Sequence, residues 1–333
     1  VMQNELLLNW YLGAYCTQKL DHLQPPLADI LRIGAYQILF LDKVPDHAAV
    51  SESVELCRTN GRSAASGLVN AVLRKVAQHK TDLPALPQDT LSRLSIAYSH
   101  PKWLVERLLA LLGEEEAEQF LRIDNEAAPM TVQVNPLKTD GEALARELAG
   151  DGVRVTPHTM VPGCFELSGT GDLTTLAAFY QGRFTVQDAA AKLVSCAAGF
   201  AKGQKVLDVC AAPGGKSFAA AFAMENEGQI LSCDLHENKL KRIREGAQRL
   251  GITCIETACA DGRAFRAEWA GAFDTVLCDV PCSGLGIIRK KPDIRYKDEG
   301  ELSSLPEIQR AILENSARYV KAGGVLVYST CTI

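Results

Sequence analysis

The sequence predicts a multidomain protein: an all-helical front, a small α/β unit in the middle and a parallel α/β sheet behind. Three observations predict it. Up to about Lys80 the apolar residues recur at spacings of three and four, as in Leu27, Ile30, Leu31, Gly34, Ile38 and Leu41, with no alternating run. A proline-spaced linker, TDLPALPQDT, then interrupts the pattern. From about Gln187 onward short apolar strands alternate with helices, which is the pattern of a parallel sheet covered on both faces. At 333 residues and 47% hydrophobic, the chain has enough apolar surface for more than one core.

In the front module, Pro25-Pro26 and KVPDH punctuate the helices, and Asp46 is expected to N-cap the helix HAAVSESVELCR. GRSAASGLVNAVLRKV supplies a further helix with small residues on one face. After the linker come helices around PKWLVERLLALLG and EEEAEQFLRIDN. The middle unit is then expected to hold a strand MTVQVNP, a helix GEALARELAGDG and short strands near VRVTP and CFEL. The boundaries expected are 1–80, 81–186 and 187–333. Both termini fall inside or directly after an element, so the chain is expected to be a fragment at each end, lacking front helices and the last strands of the sheet.

Composition excludes several classes. Charged residues such as Arg32 and Asp42 interrupt every apolar run, so no membrane span is expected. A formal net charge of −5 argues against coating nucleic acid through bulk charge. One local basic stripe, Arg289 to Lys297 in RKKPDIRYK, is a candidate phosphate contact through Arg289, Lys290, Lys291 and Arg295. The 11 cysteines are scattered singly and contain no C-x-x-C pair. That pattern implies a reducing, cytoplasmic compartment and no metal site, with most thiols acting as small buried hydrophobes.

In parallel sheets ligands sit at the carboxyl ends of the strands, so the residues there matter most. The first strand of the rear sheet ends in LDVCAAPGGKS, a glycine-rich turn opening a helix. It is not a phosphate loop, since Cys210 stands where that motif needs glycine, nor does it carry G-x-G-x-x-G. The next two strands end in Asp234 and Asp261. An acid about twenty residues past such a turn accepts hydrogen bonds from ribose hydroxyls, and a second one along can accept from an adenine amino group. The set suggests an adenosyl ligand whose charge is not mainly phosphate.

The fourth strand ends in Asp279-Val280-Pro281-Cys282 and the fifth leads to Cys331. If these strands are neighbours, both thiols face one cleft. Two thiols and an acid suit methylation at pyrimidine carbon 5. A thiolate adding to carbon 6 makes carbon 5 nucleophilic, an acid meets the proton demand at N3, and a base later removes the carbon 5 proton.

Ordered segments of the chain resemble the RNA cytosine-5 methyltransferases of the Sun/Fmu family. LRIGAYQILFLDKVPDHAAVSESVEL and LVNAVLRK look like a NusB-like helical RNA-binding domain. FTVQDAAAKLV, VLDVCAAPGGKS, DVPCSGLGIIRKKPDIRY and YSTCT look like the successive motifs of a Rossmann-like methyltransferase domain. The resemblance covers essentially the whole chain and implies methylation of a cytosine in 16S ribosomal RNA, with S-adenosyl-L-methionine as methyl donor.

By that resemblance Cys210, Ala211, Ala212, Pro213, Gly214, Gly215 and Lys216 surround the cofactor, with Asp234 at its ribose and Asp261 near its adenine. Asp279 lies beside methyl donor and target base, with Lys216 close to both; Cys331 takes the place of the covalent nucleophile and Cys282 that of the thiol assisting product release. The target base must be single-stranded or turned out of its helix. A monomer is expected. Transfer RNA or another ribosomal site is the alternative substrate, and a non-catalytic RNA-binding scaffold is the alternative of a different class.

Overall fold

The computed structural model describes residues 1–333. They fall into two compact units, Val1–Ala127 with Ile287–Glu299, and Ala128–Gly286 with Gly300–Ile333. No helix is long and apolar enough to cross a membrane.

The first unit is helical: α1 (Glu5–Tyr15), α2 (Pro25–Phe40), α3 (Asp46–Thr59), α4 (Ser66–Gln78), α5 (Thr90–Tyr98), α6 (Lys102–Leu112) and α7 (Glu114–Asp124). The three-and-four spacing of α2 buries Leu27, Ile30, Leu31, Ala35 and Ile38 on one side, against Leu8 and Leu12 of α1 and Val69, Val72, Leu73 and Val76 of α4. Each such large aliphatic side chain contributes roughly 1.5–3 kcal/mol. Gly34 keeps this packing close, since a Cβ there would overlap the Leu73 side chain and Ser53 Oγ.

One detail differs from the sequence reading. Asp46 lies in the first turn of α3, whose N-cap is Pro45, and its carboxylate accepts from Lys80 Nζ at 2.7 Å. Within this unit α5 packs with α1: Leu7 N–H donates to Ser99 Oγ at 3.2 Å, and Trp10 Nε1 donates to Ala85 O at 3.2 Å.

The segment Ile287–Glu299, from the basic stripe, also folds with this unit. Arg295 is fully buried there. Its Nη1 donates to the carbonyls of Gln3, Tyr98 and Ser99 at 3.1–3.2 Å and to Asn125 Oδ1 at 2.9 Å. Beside it His100, also buried, contacts Asp124 Oδ2 through Nε2 at 3.0 Å, and burial holds its pKa below the ordinary imidazole value.

The second unit begins with β1 (Met130–Val134), α8 (Gly141–Gly150), β2 (Arg154–Pro157), β3 (Cys164–Ser168), α9 (Ala177–Tyr180) and β4 (Phe184–Val186). These strands form an antiparallel sheet in the order β2-β3-β1-β4. Asp140 N-caps α8 by accepting from Ala143 N–H at 2.8 Å, and Leu144 and Leu148 bury against Val132, Val134 and Phe184.

The larger sheet follows: α10 (Ala189–Ala197), β5 (Lys205–Asp208), α11 (Gly215–Ala223), β6 (Gln229–Asp234), α12 (Glu237–Leu250), β7 (Ile255–Cys259), β8 (Phe273–Asp279), α13 (Leu305–Tyr319) and β9 (Val320–Ser329). All five strands run parallel, in the order β7-β6-β5-β8-β9. Alternate residues of β5 serve opposite faces. Val206 joins a core with Phe218 and Phe222 of α11 and Leu240 and Ile243 of α12, whereas Leu207 joins one with Ile312 and Tyr319 of α13. The strand order reverses at β5, and a reversal of this kind opens a crevice at the carboxyl ends of the strands.

Candidate active site

Strand β5 ends on Asp208, and the turn after it is pinned to both neighbouring strands. Val209 N–H donates to Leu277 O at 3.0 Å, and Ala211 N–H to Cys233 O at 2.7 Å. Gly214 has a φ of +111°, and a Cβ there would sit 2.6 Å from the Phe218 ring, so the turn into α11 requires glycine. Lys216, one residue into α11, donates from Nζ to Asp279 Oδ2 at 2.7 Å, while Ser329 Oγ donates to Asp279 Oδ1 at 2.6 Å. Two strand ends and the first turn of α11 thereby converge on one carboxylate.

A cavity of 190 Å³ opens beside the turn, lined by Gln187, Asp208, Ala212, Gly215, Lys216 and Asp279 among others. Asp208 is fully buried, and that burial lifts its pKa to about 6. Its Oδ2 accepts from Ser217 Oγ at 2.7 Å, and Ser217 in turn accepts from Ser232 Oγ at 2.8 Å. Asp208 Oδ1 and Gln187 Oε1 are buried without a protein partner. Unmet buried acceptors are costly, and here two of them lie in residues lining one hollow. They suit an ammonium or sulfonium ligand and would repel phosphate. Larger hollows, of 540 Å³ beside Phe165, 470 Å³ between α3 and α4, 430 Å³ beside Gly152 and 370 Å³ beside Arg244, are lined by none of the acids that end the strands of the main sheet.

The other acids lie along the same sheet edge, outside that cavity. Asp234 accepts from His236 N–H at 3.1 Å and has Lys239 Nζ at 3.5 Å. Asp261 is gripped by the Arg263 guanidinium, Nε to Oδ1 at 2.9 Å and Nη2 to Oδ2 at 2.7 Å, which holds its carboxyl below the ordinary range.

Strands β8 and β9 are neighbours in register, with Asp279 opposite Ser329. Just beyond them Cys282 and Cys331 meet at 3.0 Å between sulfurs, and Cys331 N–H points at Cys282 Sγ at 3.2 Å. Gly286 N–H donates to Cys331 O at 2.9 Å and fixes the second loop against the first. The hydrogen bond from Cys331, aided by the backbone N–H groups of Gly284 and Cys331, pulls the Cys282 thiol down to about 6. Cys331, as donor to that sulfur, is pushed up. Either sulfur can donate across the 3.0 Å, and a thiolate at Cys282 also accepts the Cys331 N–H. Burial drives other thiols the opposite way, Cys278 to about 11 and Cys233 to about 12.

Cys282, Cys331, Asp279 and Lys216 are therefore brought together, and Cys210 to Gly215 form the turn facing the cavity. The basic stripe is not an exposed row. Arg295 is closed to a phosphate because it is fully buried, with Nε and Nη1 donating to backbone carbonyls and Asn125 and Nη2 buried without a partner. Arg289 donates to Ala127 O at 3.0 Å, and Lys290 and Lys291 are exposed. Sequence reasoning missed Gln187, Asp208 and Ser329. Asp208 could have been found by the same strand-end rule that identified Asp234.

A parallel sheet whose strand order reverses at β5, with an acid-lined cavity beside the turn after that strand and a further acid ending the next, has the architecture of a Rossmann-like methyltransferase. Family models match along the chain: the NusB family over residues 1–78, the RsmF/B-like ferredoxin-like domain over 100–174 and the 16S rRNA methyltransferase RsmB/F over 199–333. The probable ribosomal RNA small subunit methyltransferase B of Bacillus subtilis is 37% identical over all of this chain and 74% of its own length. The ribosomal RNA small subunit methyltransferase B of Sodalis glossinidius is 34% identical over 98% of this chain and 74% of its own. The crystal structure of PH0851 superposes with a TM-score of 0.86 at 29% identity, covering 100% of this chain and 75% of that one. The chain belongs to the RsmB/F family of ribosomal RNA methyltransferases, whose methyl donor is S-adenosyl-L-methionine.

Proposed function

We propose that the protein methylates carbon 5 of a cytosine in 16S ribosomal RNA through a covalent bond between Cys331 and carbon 6. The observation that carries this reading is the 3.0 Å approach of Cys282 to Cys331, beside the carboxylate of Asp279. A methyltransferase acting on an exocyclic nitrogen or a ribose hydroxyl has no use for two thiols in hydrogen-bond contact.

Gln187, Asp208 and the turn from Cys210 to Lys216 would hold the amino-acid end of S-adenosyl-L-methionine, and Asp234 and Asp261 its ribose and adenine. When bound, that cofactor supplies an electrophilic methyl group. Cys282, as a thiolate, takes the Cys331 proton as Cys331 Sγ bonds to carbon 6 of a base turned out of its stack. Asp279, bonded by Lys216 and Ser329, relays a proton from the Lys216 ammonium to N3 as the electron pair moves onto the ring, and the proton returns by the same route when the thiol leaves. Once carbon 5 carries the methyl group, a base removes its proton, the electron pair expels Cys331 Sγ, and Cys282 returns the shared proton to it.

RNA containing 5-fluorocytidine tests this, because fluorine at carbon 5 blocks the final proton removal. The wild-type protein with cofactor is expected to give a denaturant-resistant RNA complex linked at Cys331. Cys331→Ala is expected to abolish it, and Cys282→Ala to accumulate an adduct even on unmodified cytosine. An adduct that survives in Cys331→Ala and vanishes in Cys282→Ala would reverse the two roles.

A further inference from the structure

We propose that Cys282 and Cys331 are also an oxidation site, at which a hydroperoxide converts the pair to an intramolecular disulfide that a thiol reductant reopens. This goes beyond the methylation chemistry and stands on the geometry of the two sulfurs. Their separation of 3.0 Å needs to close by only about 1 Å to reach the ~2.05 Å of a disulfide. Both loops are already tied to one another by the Gly286 N–H bond to Cys331 O at 2.9 Å.

Oxidation-sensitive thiols combine thiolate character, access to solvent and a second thiol poised to resolve the first product. Of the 11 free cysteines, this pair combines all three. Cys331 is exposed and Cys282 half-buried, while Cys196 and Cys259 are exposed with no sulfur partner among their hydrogen bonds. The Cys331 N–H at 3.2 Å favours a thiolate at Cys282, whose thiol is pulled down to about 6.

The steps balance. Cys282 Sγ attacks one peroxide oxygen; an S–O bond forms, the O–O bond breaks and hydroxide leaves, giving a sulfenic acid. Cys331 Sγ then attacks Cys282 Sγ; the S–S bond forms, the S–O bond breaks and water leaves with the Cys331 proton. Two electrons pass from the sulfurs to the peroxide. With Cys331 engaged, no nucleophile remains for carbon 6.

The test treats the full chain with hydrogen peroxide, blocks remaining thiols with an alkylating reagent and sequences peptides by mass spectrometry. The expected result is a peptide pair joined through Cys282 and Cys331, lighter by two hydrogens, that forms before Cys196 or Cys259 is modified. Dithiothreitol should separate it. Methyl transfer to RNA should fall by at least ~10-fold on oxidation and recover on reduction, while S-adenosyl-L-methionine still binds. In Cys282→Ser the joined pair should be absent and Cys331 should oxidise no faster than Cys196. Oxidation of Cys196 or Cys259 first, or of Cys282 to a sulfinic acid with Cys331 still free, would overturn the proposal. Reduced protein that forms the link yet transfers no methyl group would instead count against the proposed function.

Discussion

Lys216 Nζ donates to Asp279 Oδ2 across 2.7 Å, joining the helix after the first strand of the main sheet to the end of the fourth. Both side chains are partly open, at 17% and 31% exposure, so the pair contributes little to stability and much to orientation. Lys216→Met is expected to slow single-turnover methyl transfer by about 100-fold, the usual size of a lost proton-transfer contribution. Calorimetry should show S-adenosyl-L-methionine affinity falling by far less. Equal losses in rate and affinity would mean that Lys216 serves cofactor binding alone.

The thiol pair predicts a pH profile. The Cys282 pKa is depressed to about 6, so its thiolate is present above that pH and is lost as the pH falls through it. Alkylation of Cys282 by iodoacetamide should rise with pH and level off above about 7, well before an ordinary thiol of pKa ~8.5 would. In Cys331→Ala the S–H donor is gone, so the inflection should move upward. An unmoved inflection would show that the backbone N–H groups hold the charge unaided.

Much of the main sheet was legible because its five apolar runs are separated by helix-length segments, and because residues at strand ends are where parallel sheets place ligands. The adjacency of β8 and β9, which that reading required for two cooperating sulfurs, is the observed pairing of Asp279 with Ser329. The fate of Arg295 was not legible. An arginine in RKKPDIRY reads the same whether it meets phosphate or carbonyl groups, and its acceptors lie up to 292 residues away. Gln187 likewise gives no sign in sequence that one amide atom bonds Gly215 O while the other is left without a partner. Asp46 illustrates a smaller limit: Pro45 fits the position before the first turn as well as an acid does, and shifts the cap by one residue.

Asp208 predicts a trade between stability and ligand binding. Burial raises its pKa from 3.8 to about 6, so the folded protein binds the proton more tightly than the unfolded chain. Stability therefore declines as pH rises from about 4 to about 6 and stays at the lower level above. Asp208→Asn removes that penalty and is expected to gain ~1–3 kcal/mol at pH 7, the gain shrinking as pH is lowered through this window. The same variant should bind S-adenosylhomocysteine at least ~10-fold more weakly while retaining affinity for 5′-methylthioadenosine, which lacks the amino-acid end. Denaturant melts at several pH values and calorimetry with the two ligands check it. Parallel loss of both ligands would make Asp208 a scaffold residue for Ser217 and Ser232 and nothing more.

Arg295 and its neighbours Lys290 and Lys291 separate folding from RNA contact within one short segment. Arg295→Ala strands the carbonyls of Gln3 and Ser99 and Asn125 Oδ1 inside the helical unit, and should cost ~2–4 kcal/mol of its stability. Lys290→Ala and Lys291→Ala alter exposed side chains and should leave the thermal midpoint nearly unchanged. They should instead weaken RNA binding and flatten its dependence on salt by about one counterion each. Circular dichroism melts and a salt series of binding measurements distinguish the two effects. If Arg295→Ala melted like the wild type and flattened the salt dependence as the lysine variants do, its guanidinium would be a phosphate contact after all. The buried network around Asn125 would then not be what holds the segment in place.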